Sequence, residues 1–248
     1  MAVDDMAEFE SWIEAQEFQI TLDAQGKIID FLDNEVKRPN TPEERIRQKM
    51  TQIIVCELGY PKSHVALERA INIGREIKRA DIVVYHTAAA CASNDQGNIY
   101  LIAEIKAPTI LESDGQLMAY LSATSAQGGF WSNGNKIEFY RKDLSAGNII
   151  PWLGIPKFEQ AWDSIGKYRK SDLIVPVDLK LAFRRCHNAI YRSGIDSEDI
   201  ALDMVRIILS KIEDESSSKE ECDFHITPEE FNDLKAKDAA CLRVRKLF

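Results

Sequence analysis

Hydrophobic and polar positions along this chain change period several times, and each change marks an element. Arg79-Ala80-Asp81-Ile82-Val83-Val84-Tyr85 is an apolar, β-branched run, and Ile102-Ala103-Glu104-Ile105-Lys106-Ala107-Pro108 repeats that character, so both predict strands. Side chains two apart on a strand share a face, so Glu104 and Lys106 emerge together while Ile105 enters the core. Upstream, Thr41-Pro42-x-Glu44 predicts a helix start, with Thr41 as N-cap, Pro42 at the first helical position and Glu44 closing a capping box. Ile46, Met50, Ile53 and Ile54 carry a helical stripe onward until Gly59 stops it. The segment 65–73 has the pattern of either helix or strand, and Gly74 to Lys78 turns the chain into the Asp81 strand. Small and polar residues at 86–98 predict a loop between the two strands. Gln116 and Tyr120 share one face of a helix, and Asn133-Gly134 between apolar runs predicts a turn joining two more strands. From residue 41 the order is helix, three strands, helix, strand, strand, an αβββαβ arrangement that builds an α+β sandwich.

The flanks read differently. Residues 1–16 predict a short acidic amphipathic helix with Phe9, Trp12 and Ile13 on one side. Phe18–Asp23 and Lys27–Leu32 about the turn Ala24-Gln25-Gly26 predict a hairpin that extends or covers the sheet and carries no chemistry. Residues 143–172 form a connector containing Pro, Gly and Trp. Beyond it, Leu179 to Ile190 and Ile200 to Ile212 predict two helices, Ser216 to Glu221 a mobile loop, and Thr227-Pro228-Glu229-Glu230 the cap of a third helix. Two domains are expected, 1–172 and a smaller all-α domain at 173–248.

A chain of 248 residues is long enough for one filled core and a second small unit. No apolar run approaches the roughly 20 residues of a membrane span, and the acidic start MAVDDMAEFE lacks a signal sequence, so a cytoplasmic protein with no membrane partner is expected. Cys56, Cys91, Cys186, Cys222 and Cys241 are scattered without a C-x-x-C pair, which suggests reduced thiols rather than disulfides or a zinc site. The formal charge of -9 argues against nucleic acid as a partner until it is divided: residues 1–40 carry -7, residues 41–170 carry +2 and residues 171–248 carry -4. The core is the only basic segment, and weak DNA affinity is expected without a partner.

If the two β-branched strands are neighbours, Asp81, Glu104 and Lys106 converge at one place on a sheet edge. Two carboxylates, with the carbonyl of Ile105 as a third oxygen, suit a hard cation such as Mg2+. Lys106 is then placed to hold the attacking water or help deprotonate it in phosphodiester hydrolysis. An Asp at a strand start and an E-x-K on a half-exposed strand also fit a surface ion pair; Asp81 at hairpin distance and the apolar flanks favour the site. Arg75, Lys78 and Arg79 form a basic turn, suited to positioning phosphate or to plain solvation. His86 stands alone.

The ordered blocks Thr41-Pro42-Glu43-Glu44-Arg45-Ile46-Arg47-Gln48, Leu58-Gly59-Tyr60-Pro61-Lys62, Glu68, Arg79 to Tyr85 and Glu104-Ile105-Lys106-Ala107-Pro108 resemble the amino-terminal nuclease domain of type I restriction enzyme R subunits, a branch of the PD-(D/E)XK superfamily. The resemblance covers about residues 25–142. Ala80 stands where that superfamily has its name-giving proline, a position often replaced. Gln116-x-x-x-Tyr120 is similar to the QxxxY motif that follows the E-x-K strand in related nucleases. The resemblance implies a restriction-endonuclease-like core and a strand at 65–73. It further implies Asp81 and Glu104 as Mg2+ ligands (Mn2+ substituting), Lys106 as catalytic lysine, and Glu68 as a ligand or a group behind one. Gln116, Tyr120, Glu44 and Arg79 would line the site or touch DNA. Residues 173–248, through Leu209-Ser210-Lys211-Ile212-Glu213-Asp214-Glu215 and the helix order, more loosely resemble the helical segment preceding the catalytic domain of N6-adenine DNA methylases. No methylase S-adenosylmethionine motif or N/D-P-P-Y/F tetrad is present in that stretch.

The reading is therefore a Mg2+-dependent DNA endonuclease domain of a restriction-modification system, acting on double-stranded DNA with a methylase module. The rival is an inactive nuclease-like DNA-binding or scaffold domain. No Walker A pattern occurs, so these residues do not drive ATP-dependent translocation. One active site cuts one strand, so double-strand cleavage requires a homodimer or repeated nicking.

Overall fold

The computed structural model describes residues 19–113, 115–143, 147–173, 175, 179–192 and 197–247. The helix expected at 1–16 lies outside them. Contacts divide the chain into Met1–Trp162 and Asp163–Phe248.

In the first unit, β1 (Ile28–Ile29) and β2 (Lys37–Arg38) pair as a two-stranded antiparallel ribbon. They lead into α1 (Pro42–Gln52), which runs on as a π-helical turn, Ile53–Glu57. Then come β3 (Val65–Ile73), β4 (Glu76–Tyr85), α2 (Ala88–Ser93), β5 (Ile99–Ile105) and α3 (Gln116–Ala123). β6 (Gly128–Ser132), β7 (Ile137–Lys142) and β8 (Ile149–Trp152) complete the unit. Strands β3 to β8 form one six-stranded sheet in chain order. All neighbours are antiparallel except β5 and β6, whose parallel pairing requires the crossover that α3 supplies.

The sheet is covered on both faces. Ile46, Met50 and Ile54 pack on Ile82, Val84, Leu101, Ala103, Ile105 and Phe130. On the opposite face Ala90 and Cys91 of α2 and Leu117, Tyr120 and Leu121 of α3 pack on Val83, Tyr85, Ile102 and Trp131. Strands buried on both sides lose polar-apolar alternation, which is why β4 and β5 read as near-continuous apolar runs. An α+β class holds and the ambiguous segment 65–73 is a strand, but the order of elements gains α2 between β4 and β5 and β8 after β7.

Four local expectations are corrected. Thr41 does cap α1, its hydroxyl accepting from the Glu44 amide at 3.2 Å, but the Glu44 side chain turns inward and the Thr41 amide donates to Pro39, so the capping box does not close. The hairpin expected at 18–32 shrinks to a Leu22↔Ile28 bridge, because Asp30 takes the amides of Leu32 and Asp33 and bends the chain toward β2. The loop expected at 86–98 contains α2, capped by Thr87 accepting from the Ala90 amide at 3.1 Å; small side chains let that short helix lie close on the sheet. The connector after residue 143 supplies an edge strand, β8, whose Pro151 is tolerated because an edge needs no donor on its outer side.

The second unit is helical: α4 (Leu179–Arg192), α5 (Ser197–Ser216), α6 (Pro228–Asn232) and α7 (Leu234–Arg245). It begins ten residues before the expected boundary of 172/173, because the Tyr168 carbonyl accepts from the Cys222 amide and the Lys170 amide donates to Glu220. Here the capping box does close: the Thr227 hydroxyl accepts from the Glu230 amide at 3.3 Å and Glu230 accepts from the Thr227 amide at 2.9 Å. Among the described residues no helix is long and apolar enough to cross a membrane.

Candidate active site

Register brings three carboxylates into one row. Leu67 pairs with Ile82 and Arg69 with Ala80, which sets Glu68 across from Asp81. Ile82↔Ala103 is the pair at the end of the β4–β5 ladder, so Asp81 stands across from Glu104 where the two strands part. Glu68 has φ 52, a left-handed conformation that is costly for a residue with a Cβ and rare inside a strand. Its effect is visible in the faces. Val65, Leu67, Ile82 and Val84 lie with α1, whereas beyond the pair Ile71 and Ala80 lie on the opposite face. The alternation of both strands is interrupted at Glu68 and Asp81, and both carboxylates reach the Arg47 guanidinium of α1.

Arg47 is 6% exposed. Its Nη2 donates to Asp81 Oδ1 at 2.6 Å and to Glu43 Oε1 at 3.0 Å; its Nη1 donates to Glu44 and lies 3.6 Å from Glu68 Oε1. Glu44 also accepts from Gln48 at 2.8 Å and lies 3.6 Å from Arg38 Nε. Burial pushes the Glu44 carboxyl upward, with Gln48, Arg47 and Arg38 pulling against it. Arg38 donates to Glu68 at 2.6 Å and to Asp30. The second oxygen of Asp81 accepts from the Ile105 amide at 2.7 Å, so this side chain closes the fork between β4 and β5.

On the α3 side of the fork a relay fixes the lysine. Lys106 Nζ donates to Glu104 Oε1 at 2.7 Å and to Gln116 Oε1 at 3.1 Å. Gln116 Nε2 donates to the Tyr120 hydroxyl at 2.6 Å, which donates to the Arg79 carbonyl at 2.5 Å. Burial pushes Tyr120 up to about 12, with the charges of Glu104 and Asp81 adding, so the phenol stays protonated and remains a donor.

Asp81, Glu104 and Lys106 thus share the fork, but Asp81 turns to Arg47 and Glu104 to Lys106. Gln116 and Tyr120 join them through the lysine, and Glu44 and Glu68 through Arg47. Arg79 enters by its carbonyl and is otherwise exposed, as are Arg75 and Lys78. Arg47, Arg38 and Asp30 were not foreseen as site residues. Arg47 had a signal, since it follows Glu43 and Glu44 by four and three residues on a helix, where side chains meet. Asp30 and Arg38 had none, because only the β1–β2 ribbon brings them to Glu44 and Glu68.

Among the described residues, no three His, Cys, Asp or Glu side chains converge as a metal cluster. The donor chemistry nevertheless suits a hard divalent cation, since Asp81, Glu104 and the Ile105 carbonyl offer only oxygen. Among the described residues, the ion pairs of this region set six carboxylates (Asp30, Glu43, Glu44, Glu68, Asp81, Glu104) against three cations (Arg38, Arg47, Lys106), an excess of negative charge that a divalent ion would reduce.

Residues 42–156, a little under half of the chain, match the family model described as the type I restriction enzyme R protein N terminus. The matched segment contains α1, the whole six-stranded sheet and α3, and with them Glu44, Arg47, Glu68, Asp81, Glu104, Lys106, Gln116 and Tyr120. No curated protein matches the chain.

Proposed function

We propose that the fork between β4 and β5 is the active site of a Mg2+-dependent DNA endonuclease of the PD-(D/E)XK kind, working in a restriction-modification system beside a DNA methylase subunit. The observation that carries this reading is the meeting of Asp81 with the E-x-K strand: its carboxylate accepts from the Ile105 amide, between Glu104 and Lys106. The family match to a restriction enzyme R protein supports it. Asp81, Glu104 and the Ile105 carbonyl would hold Mg2+ or Mn2+, which supplies Lewis acidity at the phosphoryl oxygens and acidifies a bound water. Lys106, steadied by Gln116 and Tyr120, orients the attacking water. The exposed cations Arg75 of the β3–β4 turn and Lys78 and Arg79, which lie in β4 rather than in the turn expected from the sequence, are suited to the DNA backbone. A homodimer would supply the second cut.

The rival reading, a scaffold that keeps only the shape of a nuclease, draws on the ion pairs of Asp81 with Arg47 and of Glu104 with Lys106. Plasmid nicking and linearisation with Mg2+, Mn2+ or EDTA separates the two. The nuclease reading expects metal-dependent cutting that Asp81→Ala abolishes and Lys106→Ala lowers by about 10²-fold or more. Cutting that survives both substitutions, or wild-type protein that neither cuts nor binds metal, would reject it.

A further inference from the structure

Arg47 lies where the carboxylate row meets α1, and the chemistry proposed above does not use it. It is 6% exposed, yet among the described residues its Nε has no hydrogen-bond partner, so the guanidinium is not fully engaged where it sits. One of its nitrogens is shared between Asp81 and Glu43, and Glu68 Oε1 waits at 3.6 Å, beyond hydrogen-bonding distance. We propose that Arg47 is the resident counter-ion of the site: it neutralises Asp81 while no divalent cation is bound and hands that carboxylate over when one binds.

This inference rests on the endonuclease reading. Three features make the exchange feasible. Arg47 does not become an uncompensated buried charge on leaving Asp81, because Glu43, Glu44 and Glu68 remain within reach. The left-handed backbone of Glu68 brings its carboxylate toward both Arg38 and Arg47, so the second resting place is built into the strand. Asp81 keeps its hold on the Ile105 amide through the other oxygen, so Oδ1 can change partner without the side chain losing its direction. Arg47 is therefore a positioning residue. It keeps the acidic row folded before a metal arrives and sets the affinity with which one is taken up.

The test is calorimetric titration of the full chain with Mg2+ and with Mn2+, without DNA, comparing wild type and Arg47→Gln. A competing internal cation predicts that Arg47→Gln binds metal roughly tenfold more tightly, while its thermal midpoint without metal falls and recovers as metal is added. Equal or weaker binding by Arg47→Gln would mean that Arg47 only braces the fold, and would overturn this inference while leaving the endonuclease reading intact. Wild-type protein that binds no divalent cation would overturn both. Should Arg47→Gln fail to fold, the Arg47 guanidinium resonance of wild type decides: a saturable shift on adding Mg2+ is expected, and no shift at saturation refutes the exchange.

Discussion

Lys106 owes its position to two neutral residues as much as to its carboxylate partner. Gln116 accepts from the lysine and donates to Tyr120, and Tyr120 is anchored on the Arg79 carbonyl of β4, so the relay ties α3 to both strands of the fork. Removing Gln116 takes one hydrogen-bond acceptor from Lys106 and breaks its link to Tyr120. Gln116→Ala is expected to lower single-turnover cleavage about tenfold, with metal affinity by calorimetry unchanged. Tyr120→Phe strips the half-buried Arg79 carbonyl of its side-chain donor and should cost about 1 kcal/mol of stability, read as a lower denaturation midpoint. A lysine held only by charge would show neither effect. The strained Glu68 belongs to the same scale, since one left-handed residue redirects two carboxylates toward one arginine.

Among the elements, β6 most tightly limits how the fork is built. It runs parallel to β5, and a Cβ added at Gly129 would lie 1.9 Å from the Ile102 carbonyl oxygen, inside any permitted contact. Its neighbour Gly128 meets the Trp162 ring at 2.4 Å in the same way. Gly129→Ala must push apart the two strands whose register sets Glu104 beside Trp131, and a loss of about 3 kcal/mol is expected. Gly74 in the β3–β4 turn has φ 60 but open space around it, so Gly74→Ala should cost only about 1 kcal/mol. Chemical denaturation of the two variants side by side distinguishes backbone crowding from turn conformation.

For the molecule as a whole, two units imply two sources of stability. The first draws on an apolar core on both faces of a sheet, the second on helices fastened by polar locks such as Asp214 on the amides of Asp223 and Phe224. The Glu230–Arg243 pair joins α6 to α7, and the hydrogen bond from Arg243 holds the Glu230 carboxyl well below its ordinary 4.5, at about 2. A carboxyl lowered in the folded state adds stability that is complete above the unfolded value near 4.5 and is lost as pH falls toward about 2. Scanning calorimetry of the full chain should therefore show two transitions. The one belonging to Asp163–Phe248 should drop over this acid range in wild type and drop less in Glu230→Gln.

How much of this was legible beforehand follows from the reach of each interaction. Periodicity and caps act within a few residues, so the sequence by itself determined the α1 start at Thr41, the β4 and β5 strands and the α3 helix, while α2 and β8 escaped it. The pairing of an E-x-K strand with an upstream aspartate was likewise open to reading, because two residues on neighbouring strands need only a short connection. A side chain's choice among partners is made by whatever folding brings near. Thr41-x-x-Glu44 and Thr227-x-x-Glu230 have the same capping pattern; the second closes its box, while buried Arg47 and Gln48 draw the first glutamate inward. Only the tertiary structure decided that Glu68 would turn left-handed, that Asp30 and Arg38 would enter from a distant ribbon, and that Arg47 would hold Asp81. Buried charge must find opposite charge wherever the fold supplies it, and sequence spacing carries no record of where that is.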